Sequence, residues 1–346
     1  MTGEYVERPT APWLSILLPV FNVGPALDDC LGSILNQAVD GIELVLVDDA
    51  TSASDQERLQ AWQSRHAGLV RVVKHECNLG VAAARNSLLA QARGSYLWFV
   101  DPDDVMEAGA IASLKSIVDL HRPDMVLCDF RTFSDVSDAS LGPPKSAVLR
   151  AHVSTFDGPS RVLSRSGEDL LAGLFNTGQF HPWTKIVRRA VWPAALEFPR
   201  GRVFEDLAVF PRVVLATPVH YHVPEVWISY RQRAGSVLAT LDQNKLDDWT
   251  LALTGFAKDL QTSSVRQDAD MLFEVAHFCA RTLLRAMRRD RRLPPRDGER
   301  QRMRIYLERW RASSPLDAGA LARAYLARAM VGRWAQWRWE LWRLTK

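Results

Sequence analysis

Tyr96-Leu97-Trp98-Phe99-Val100-Asp101-Pro102-Asp103-Asp104 is an apolar run that ends in three acids around a proline. The run is too apolar for a surface strand, and open α/β sheets bind ligands at the carboxyl ends of their strands. A second run, Ile42 to Val47, stops in the same way at Asp48-Asp49. Carboxylates at strand ends with a cation between them make a site for a diphosphate. The expectation is a metal-dependent enzyme acting on a nucleotide-linked substrate.

Around these runs, strand-like and helix-like segments alternate. Leu14–Val20, Leu69–Val73 and Met125–Cys128 are short and apolar, as buried parallel strands require. Helical spacing occupies Ala26–Gln37, Asp55–Ala67, Val81–Ala92 and Ala108–His121 between them. Repeated β-α units predict an α/β fold: a twisted, mainly parallel sheet with helices on both faces. From Phe130 to Pro159 the pattern dissolves into a long loop. Helices are then expected at Gly167–Phe175 and Val203–Ala216, and a strand at Val219–Arg231. After Asp242 the chain reads as helical, with breaks at Pro294-Pro295 and Ser313-Ser314-Pro315. The expected divisions are residues 1–130, 131–242 and 243–346.

The 346 residues are 47% hydrophobic, enough for a full core. Net charge is +3, but residues 281–346 hold 18 Lys and Arg against 6 Asp and Glu, and the rest is acidic. An acidic body argues against nucleic acid as the main substrate. No apolar stretch reaches the roughly 18 residues of a membrane span, and the N-terminus lacks a signal-peptide pattern. A cytoplasmic protein is expected. Its four separated cysteines suggest reduced thiols rather than disulfides or zinc.

The chemistry rests on a few residues. Asp48 and Asp49 either accept from a base or a ribose hydroxyl, or cap the following turn. Asp101 and Asp103 suit Mg²⁺ or Mn²⁺, which bind through one or two carboxylates plus substrate phosphates. The alternative is a solvated acidic loop offset by arginine. Gly80 breaks the chain before the small-residue helix Val81-Ala82-Ala83-Ala84, whose Arg85 offers a planar fork either to a phosphate or to the acids. A structural salt bridge is the competing reading of Arg85.

Leu18-Pro19-Val20-Phe21-Asn22, Val47-Asp48-Asp49, Asn78-x-Gly80-x-x-x-Ala84-Arg85-Asn86 and Phe99-Val100-Asp101-Pro102-Asp103-Asp104, in this order, resemble family 2 glycosyltransferases of the GT-A fold. The resemblance implies inverting transfer of a sugar from a nucleotide diphosphate donor, with a UDP-sugar the first expectation. The acceptor would be a glycan or lipid-linked hydroxyl in surface polysaccharide synthesis. It places Pro19 and Asp49 beside the nucleobase and puts Phe21, Asn22, Asp48, Asn78, Gly80 and Arg85 in the donor-binding half. Asp101 and Asp103 would hold ribose and metal, Asp103 the more directly. The family usually follows the acid pair with Gly-Ser, whereas this chain has Ala50-Thr51. If the turn needs φ > 0, Ala50 is strained or the loop differs.

Arg202-Val203-Phe204-Glu205-Asp206-Leu207 resembles the family's acidic motif, and implies Asp206 as general base with Glu205 as a supporting or rival carboxylate. A helix N-terminus that favours acids is the alternative. His181-Pro182-Trp183-Thr184-Lys185 and Tyr230-Arg231-Gln232-Arg233 resemble motifs of polysaccharide-building members. They imply Lys185 and Arg233 at the diphosphate and Trp183 beneath the acceptor sugar, although a Trp serves equally as core.

On one helix over residues 318–345, Leu326, Met330, Trp334, Trp337, Leu341 and Leu344 form a stripe about 80° wide. The stripe wants a partner: the body, a second subunit, or a membrane. Trp339 and Trp342 lie off it beside Arg338 and Arg343, a mixture that suits a peripheral contact with the inner face of the cytoplasmic membrane. The runner-up function is a phosphatase of the haloacid-dehalogenase type with Asp101 as nucleophile, although its signature normally opens the domain.

Overall fold

A computed structural model of the protein describes residues 11–133, 151–232, 240–293 and 298–345. The first part alternates β1 (Leu14–Val20), α1 (Ala26–Leu35), β2 (Ile42–Asp48), α2 (Ala53–Arg65), β3 (Val70–Lys74), α3 (Val81–Gln91) and β4 (Tyr96–Phe99). A two-residue strand β5 (Val105–Met106), α4 (Ala110–His121) and β6 (Met125–Phe133) follow. All seven residues of β1 and all four of β4 are buried. A strand buried on both faces needs no polar alternation, so apolar runs located these strands in the sequence.

The chain continues through β7 (His152–Val153), β8 (Leu163–Ser164), α5 (Gly167–Thr177), β9 (Lys185–Arg188), α6 (Glu205–Leu215) and β10 (His220–Arg231). The sheet order is β3-β2-β1-β4-β9-β6-β10-β5, with β7 beside β6 and β8 beside β10. Strands β1 to β4 pair in parallel, as do β6 and β10. Strand β9 runs antiparallel to both β4 and β6 and joins the two parallel blocks. This is the expected mixed α/β architecture of a GT-A fold, a Rossmann-like sheet flanked by helices with a helical extension. Because β1 lies between β2 and β4, the chain crosses over there, and such a switch point leaves a crevice outside the strand ends.

Two expectations are corrected. The loop foreseen from Phe130 to Pro159 contains the end of β6, and β7 pairs with it; residues 134–150 lie outside the described residues. Strand β9 was not foreseen, since its first residue is a lysine. In β10 the register shifts on both sides of Val226, just after Pro224, which has no N–H for a ladder.

Alternate strand residues serve two apolar layers, as a period of two requires. Ile16, Leu18, Leu44 and Leu46 pack with Leu31 and Ile34 of α1 and with Ile111 and Leu114 of α4. Leu17, Val45 and Leu97 belong to a cluster on the other face that includes α5, α6 and the C-terminal helices. Those helices are α7 (Gln243–Leu251), α8 (Phe256–Thr262), α9 (Ala269–Asp290), α10 (Glu299–Ser313), α11 (Ala318–Ala327) and α12 (Val331–Thr345). Phe278 of α9 meets Phe175 of α5 and Phe180, with ring centroids 5.4 and 5.5 Å apart.

The single helix expected over residues 318–345 is two. The chain turns at Arg328–Met330, where Ala329 has φ +53°, and Met330 donates its N–H to the carbonyl of Tyr325 at 2.8 Å. The turn divides the apolar stripe. Trp337 is buried against Trp310, with ring centroids 4.8 Å apart, whereas Leu326 is 48% exposed. The chain's own helices therefore cover most of that stripe. Among the described residues no helix is long and apolar enough to cross a membrane.

Candidate active site

The crevice at the switch point is an open cleft of about 290 Å³. Pro19, Val20 and Phe21 reach it from β1, Asp49 from β2, and Asp101, Pro102 and Asp103 from β4. Asn78, Gly80, Val81, Ala84 and Arg85 line it from the start of α3. Eight of the residues singled out in the sequence thus share one wall-to-wall space of the size that small-molecule ligands occupy.

Asp48 and Asn22 stand behind the cleft rather than in it. Asp48 is buried and its Oδ1 accepts the Thr51 N–H at 2.9 Å, the capping role. Asn22 donates its N–H to Thr51 Oγ1 at 2.7 Å, and its Oδ1 accepts from Ser52 N at 2.9 Å. The loops after β1 and β2 are thereby braced against each other. Between them Ala50 sits at φ +57°, so the turn keeps its left-handed residue without glycine. A left-handed alanine costs about 1–2 kcal/mol, partly offset in a glycine variant by a freer unfolded chain. Ala50→Gly should therefore raise stability by about 0.5–1 kcal/mol in urea titration.

Asp49 spends both carboxylate oxygens on the neighbouring loop. Oδ1 accepts from Leu79 N at 2.9 Å and Oδ2 from Gly80 N at 2.8 Å. His75 Nδ1 lies 2.6 Å from Oδ1, and its Nε2 lies 2.9 Å from Ser87 Oγ. Asp49 thus fixes the Asn78–Gly80 entrance to α3, where Gly80 has φ +85°. Ala82, Ala83 and Ala84 are buried, and small side chains let α3 press closely on β1 and β2.

Three carboxylates in four residues demand compensating positive charge, and two arginines supply it. Arg85, itself buried, donates from Nη2 to Asp101 Oδ1 at 2.9 Å and from Nη1 to Glu205 Oε1. Its guanidinium also lies 5.7 Å from the centre of the Phe198 ring. The salt-bridge reading of Arg85 therefore describes its contacts, and the bridge joins the acids of β4 to those of α6. Arg231 donates from Nε to the Asp103 carbonyl at 2.7 Å and from Nη2 to Asp29 Oδ2 at 3.0 Å. Asp104 accepts the Arg231 N–H at 2.8 Å; burial, then the charges of Asp101 and Asp103, push its carboxyl well above the usual range.

Asp101 and Asp103 line the cleft, and carboxylate oxygens are the hard donors that Mg²⁺ and Mn²⁺ prefer. Among the described residues no group of three or more His, Cys, Asp or Glu side chains forms a complete cage. The pair fits a cation that takes its remaining ligands from substrate phosphates and water.

Phe204, at φ +60°, turns the chain into α6 and sets Glu205 and Asp206 in its first turn. Glu205 is committed to Arg85. Burial pushes its carboxyl up to about 6, aided by Asp206 and opposed by Arg85. Asp206 is also raised by burial, against the pull of Arg85. Its Oδ1 accepts from Leu207 N at 2.7 Å, and its Oδ2 lies 3.7 Å from His181 Nδ1. With its side chain 23% exposed against 10% for Glu205, Asp206 is the carboxylate a substrate can reach. A base drawn from this pair works only when ionised, and burial raises both carboxyls, so activity should fall as pH drops. A pH–rate profile reads this as an acid limb above the ordinary carboxylate range.

The remaining expectations fare differently. Lys185 is fully buried, and its ammonium donates to the carbonyls of Gln179 and His181 at 2.7 and 3.0 Å and to Thr184 Oγ1 at 2.8 Å. All three donors are used, so its expected phosphate contact is corrected to a brace for residues 179–184. Burial also lowers its pKa to about 7. Trp183 is 1% exposed and packs with His181 and Tyr230 in a cluster of three mutually stacked rings, with centroids 4.8 and 5.6 Å from its own. The core reading holds for Trp183, and the more exposed ring of His181 replaces it at the surface. Arg233 lies outside the described residues. The sequence also gave no sign that Asn86 clamps Phe198, accepting its N–H at 2.8 Å and donating to its carbonyl at 2.9 Å.

Residues 15–166 match the family described as glycosyl transferase family 2. The chain is similar to glycosyltransferase GlyG of Streptococcus pneumoniae serotype 4, 27% identical over 66% of this chain and 73% of GlyG. It is also 35% identical to the uncharacterized glycosyltransferase EpsJ of Bacillus subtilis, over 34% of each chain, so that match spans about a third of EpsJ. In three dimensions it resembles residues 1–349 of TarS from S. aureus, with a TM-score of 0.67 and 17% identity over 96% of this chain and 92% of that one. The same part of TarS has been solved in complex with UDP-GlcNAc, with a TM-score of 0.65 and 18% identity over 91% and 87% of the two chains. At these identities the TarS likeness shows a shared fold.

Proposed function

We propose that this chain, a glycosyltransferase whose residues 15–166 belong to glycosyl transferase family 2, moves a sugar with inversion from a UDP-sugar to a hydroxyl of a glycan or lipid-linked acceptor. The observation that carries the reading is the fork of Arg85, which ties Asp101 of the donor cleft to Glu205 beside Asp206. One rigid cation thus spans the place where a diphosphate would leave and the place where a nucleophile would arrive. The UDP-GlcNAc complex of TarS, which shares this fold, supports the choice of donor class.

In this reading Pro19, Phe21 and the Asn78–Gly80 loop enclose the nucleoside, with Asp49 holding that loop in place. Asp103, with Asp101, would hold a Mn²⁺ or Mg²⁺, which when bound neutralises charge on the departing diphosphate. Asp206 takes the proton of the acceptor hydroxyl, and the oxygen then attacks the anomeric carbon on the face opposite the leaving group. Glu205 does not compete, because Arg85 holds it. Asp103→Asn should remove metal-dependent donor binding. Calorimetric titration of UDP in Mn²⁺ tests this, and unaltered affinity in the variant would sink the donor assignment.

The phosphatase reading loses ground on topology. Its acid signature should follow the opening strand, whereas β4 comes after three β-α units and lies between β1 and β9. Asp101 Oδ1 is also occupied by Arg85, an awkward state for a nucleophile.

A further inference from the structure

Helix α12 is attached to the body by one side. Trp337 is buried and donates its indole N–H to the Ala318 carbonyl at 3.1 Å. Glu340, also buried, accepts from Arg291 Nη1 at 2.9 Å. At 100° per residue these anchors turn Val331, Ala335, Trp339 and Trp342 outward on one stripe. Val331 is 58% exposed, Trp339 57% and Trp342 46%. The two indoles stack, with centroids 5.0 Å apart and planes at 26°. Arg338 and Arg343 flank the stripe, one on each side, and both are exposed.

We propose that this outward face of α12 binds the surface of an anionic lipid bilayer. Indole rings sit at the headgroup level, where an apolar body meets a polar edge, and the flanking arginines match lipid phosphates. The C-terminal segment that carries α12 is basic as a whole: residues 281–346 hold 18 basic against 6 acidic side chains. Charge also argues against a second copy. A two-fold contact through this stripe would set Arg338 and Arg343 of each chain beside those of the other. With 15 residues α12 is shorter than the ~20 a span needs, so it would lie in the interface rather than cross it. The proposal stands independently of the transferase chemistry.

The test is flotation of the full chain with vesicles of phosphatidylcholine alone and with added phosphatidylglycerol. The anionic vesicles should carry the protein, less so as salt rises, and the neutral ones should not. Trp339→Ala/Trp342→Ala should lower the bound fraction about tenfold or more. Neither residue lines the cleft, so UDP binding should be unchanged. Brominated lipid should quench tryptophan fluorescence more in the unaltered chain than in the variant. Equal flotation of the two proteins, or equal binding to neutral and anionic vesicles, would overturn the proposal. So would a wild-type dimer that the double variant dissociates, which would assign the face to a second copy.

Discussion

Asp206→Asn should lower sugar transfer by about 10²- to 10⁴-fold while leaving donor affinity unchanged. The amide keeps the shape of the carboxylate, and its oxygen can still accept from Leu207 N, which the carboxylate does at 2.7 Å. What it loses is the capacity to take a proton from the acceptor hydroxyl. Donor binding draws on Asp103, Asp101 and the loops after β1 and β2, none of which Asp206 supports. Glu205→Gln provides the contrast, because it weakens the Arg85 bridge and should disturb stability as well as rate. If the Asn variant transferred sugar at the normal rate while the Gln variant did not, the base would be Glu205.

Arg85→Ala should destabilise the fold by about 3–5 kcal/mol, the range found when one partner of a buried ion pair is removed. The truncation leaves Glu205 without its cation and Asp101 without one of its partners, in a site where Arg85 is about 5% exposed. The loss should depend on pH in a definite direction. Without the guanidinium, the folded-state pKa of Glu205 rises further above its unfolded value. The folded state then binds the extra proton, so stability falls as pH rises through that interval. Denaturant titrations at pH 5.5 and pH 8 should show the larger deficit at pH 8. Arg85→Lys keeps the charge but not the planar two-way fork, and should recover more stability than activity.

The parts of the molecule that could be read from sequence share a physical cause. Strands β1, β2 and β4 are buried on both faces, so their apolar runs stand out, and the acids that end β2 and β4 mark the edge where ligands bind. Asp101 and Asp103 were found because charged groups next to such runs need a reason to be there, Arg85 because it rides a helix opened by small residues, and Glu205 with Asp206 through the resemblance to a family motif. Lys185 misled for the opposite reason: residue type does not reveal that an ammonium is fully buried on two carbonyls and a hydroxyl. Strand β9 was hidden by the same lysine. The Asn86–Phe198 clamp and the His75–Asp49 pair join segments far apart in the chain, and neither leaves a local pattern. The turn at Arg328–Met330 escaped because it uses Ala329 in the left-handed region, with no glycine or proline to announce it.

The central claim is that the cleft takes a nucleotide diphosphate together with a metal. A thermal-shift comparison of UDP, GDP, CDP and dTDP, each with and without Mn²⁺ or Mg²⁺, tests it most directly, because a ligand of the folded state raises its apparent stability. The account predicts a rise with UDP that needs the metal. Stabilisation by metal with no preference among nucleotides, together with phosphate trapped on Asp101, would contradict it.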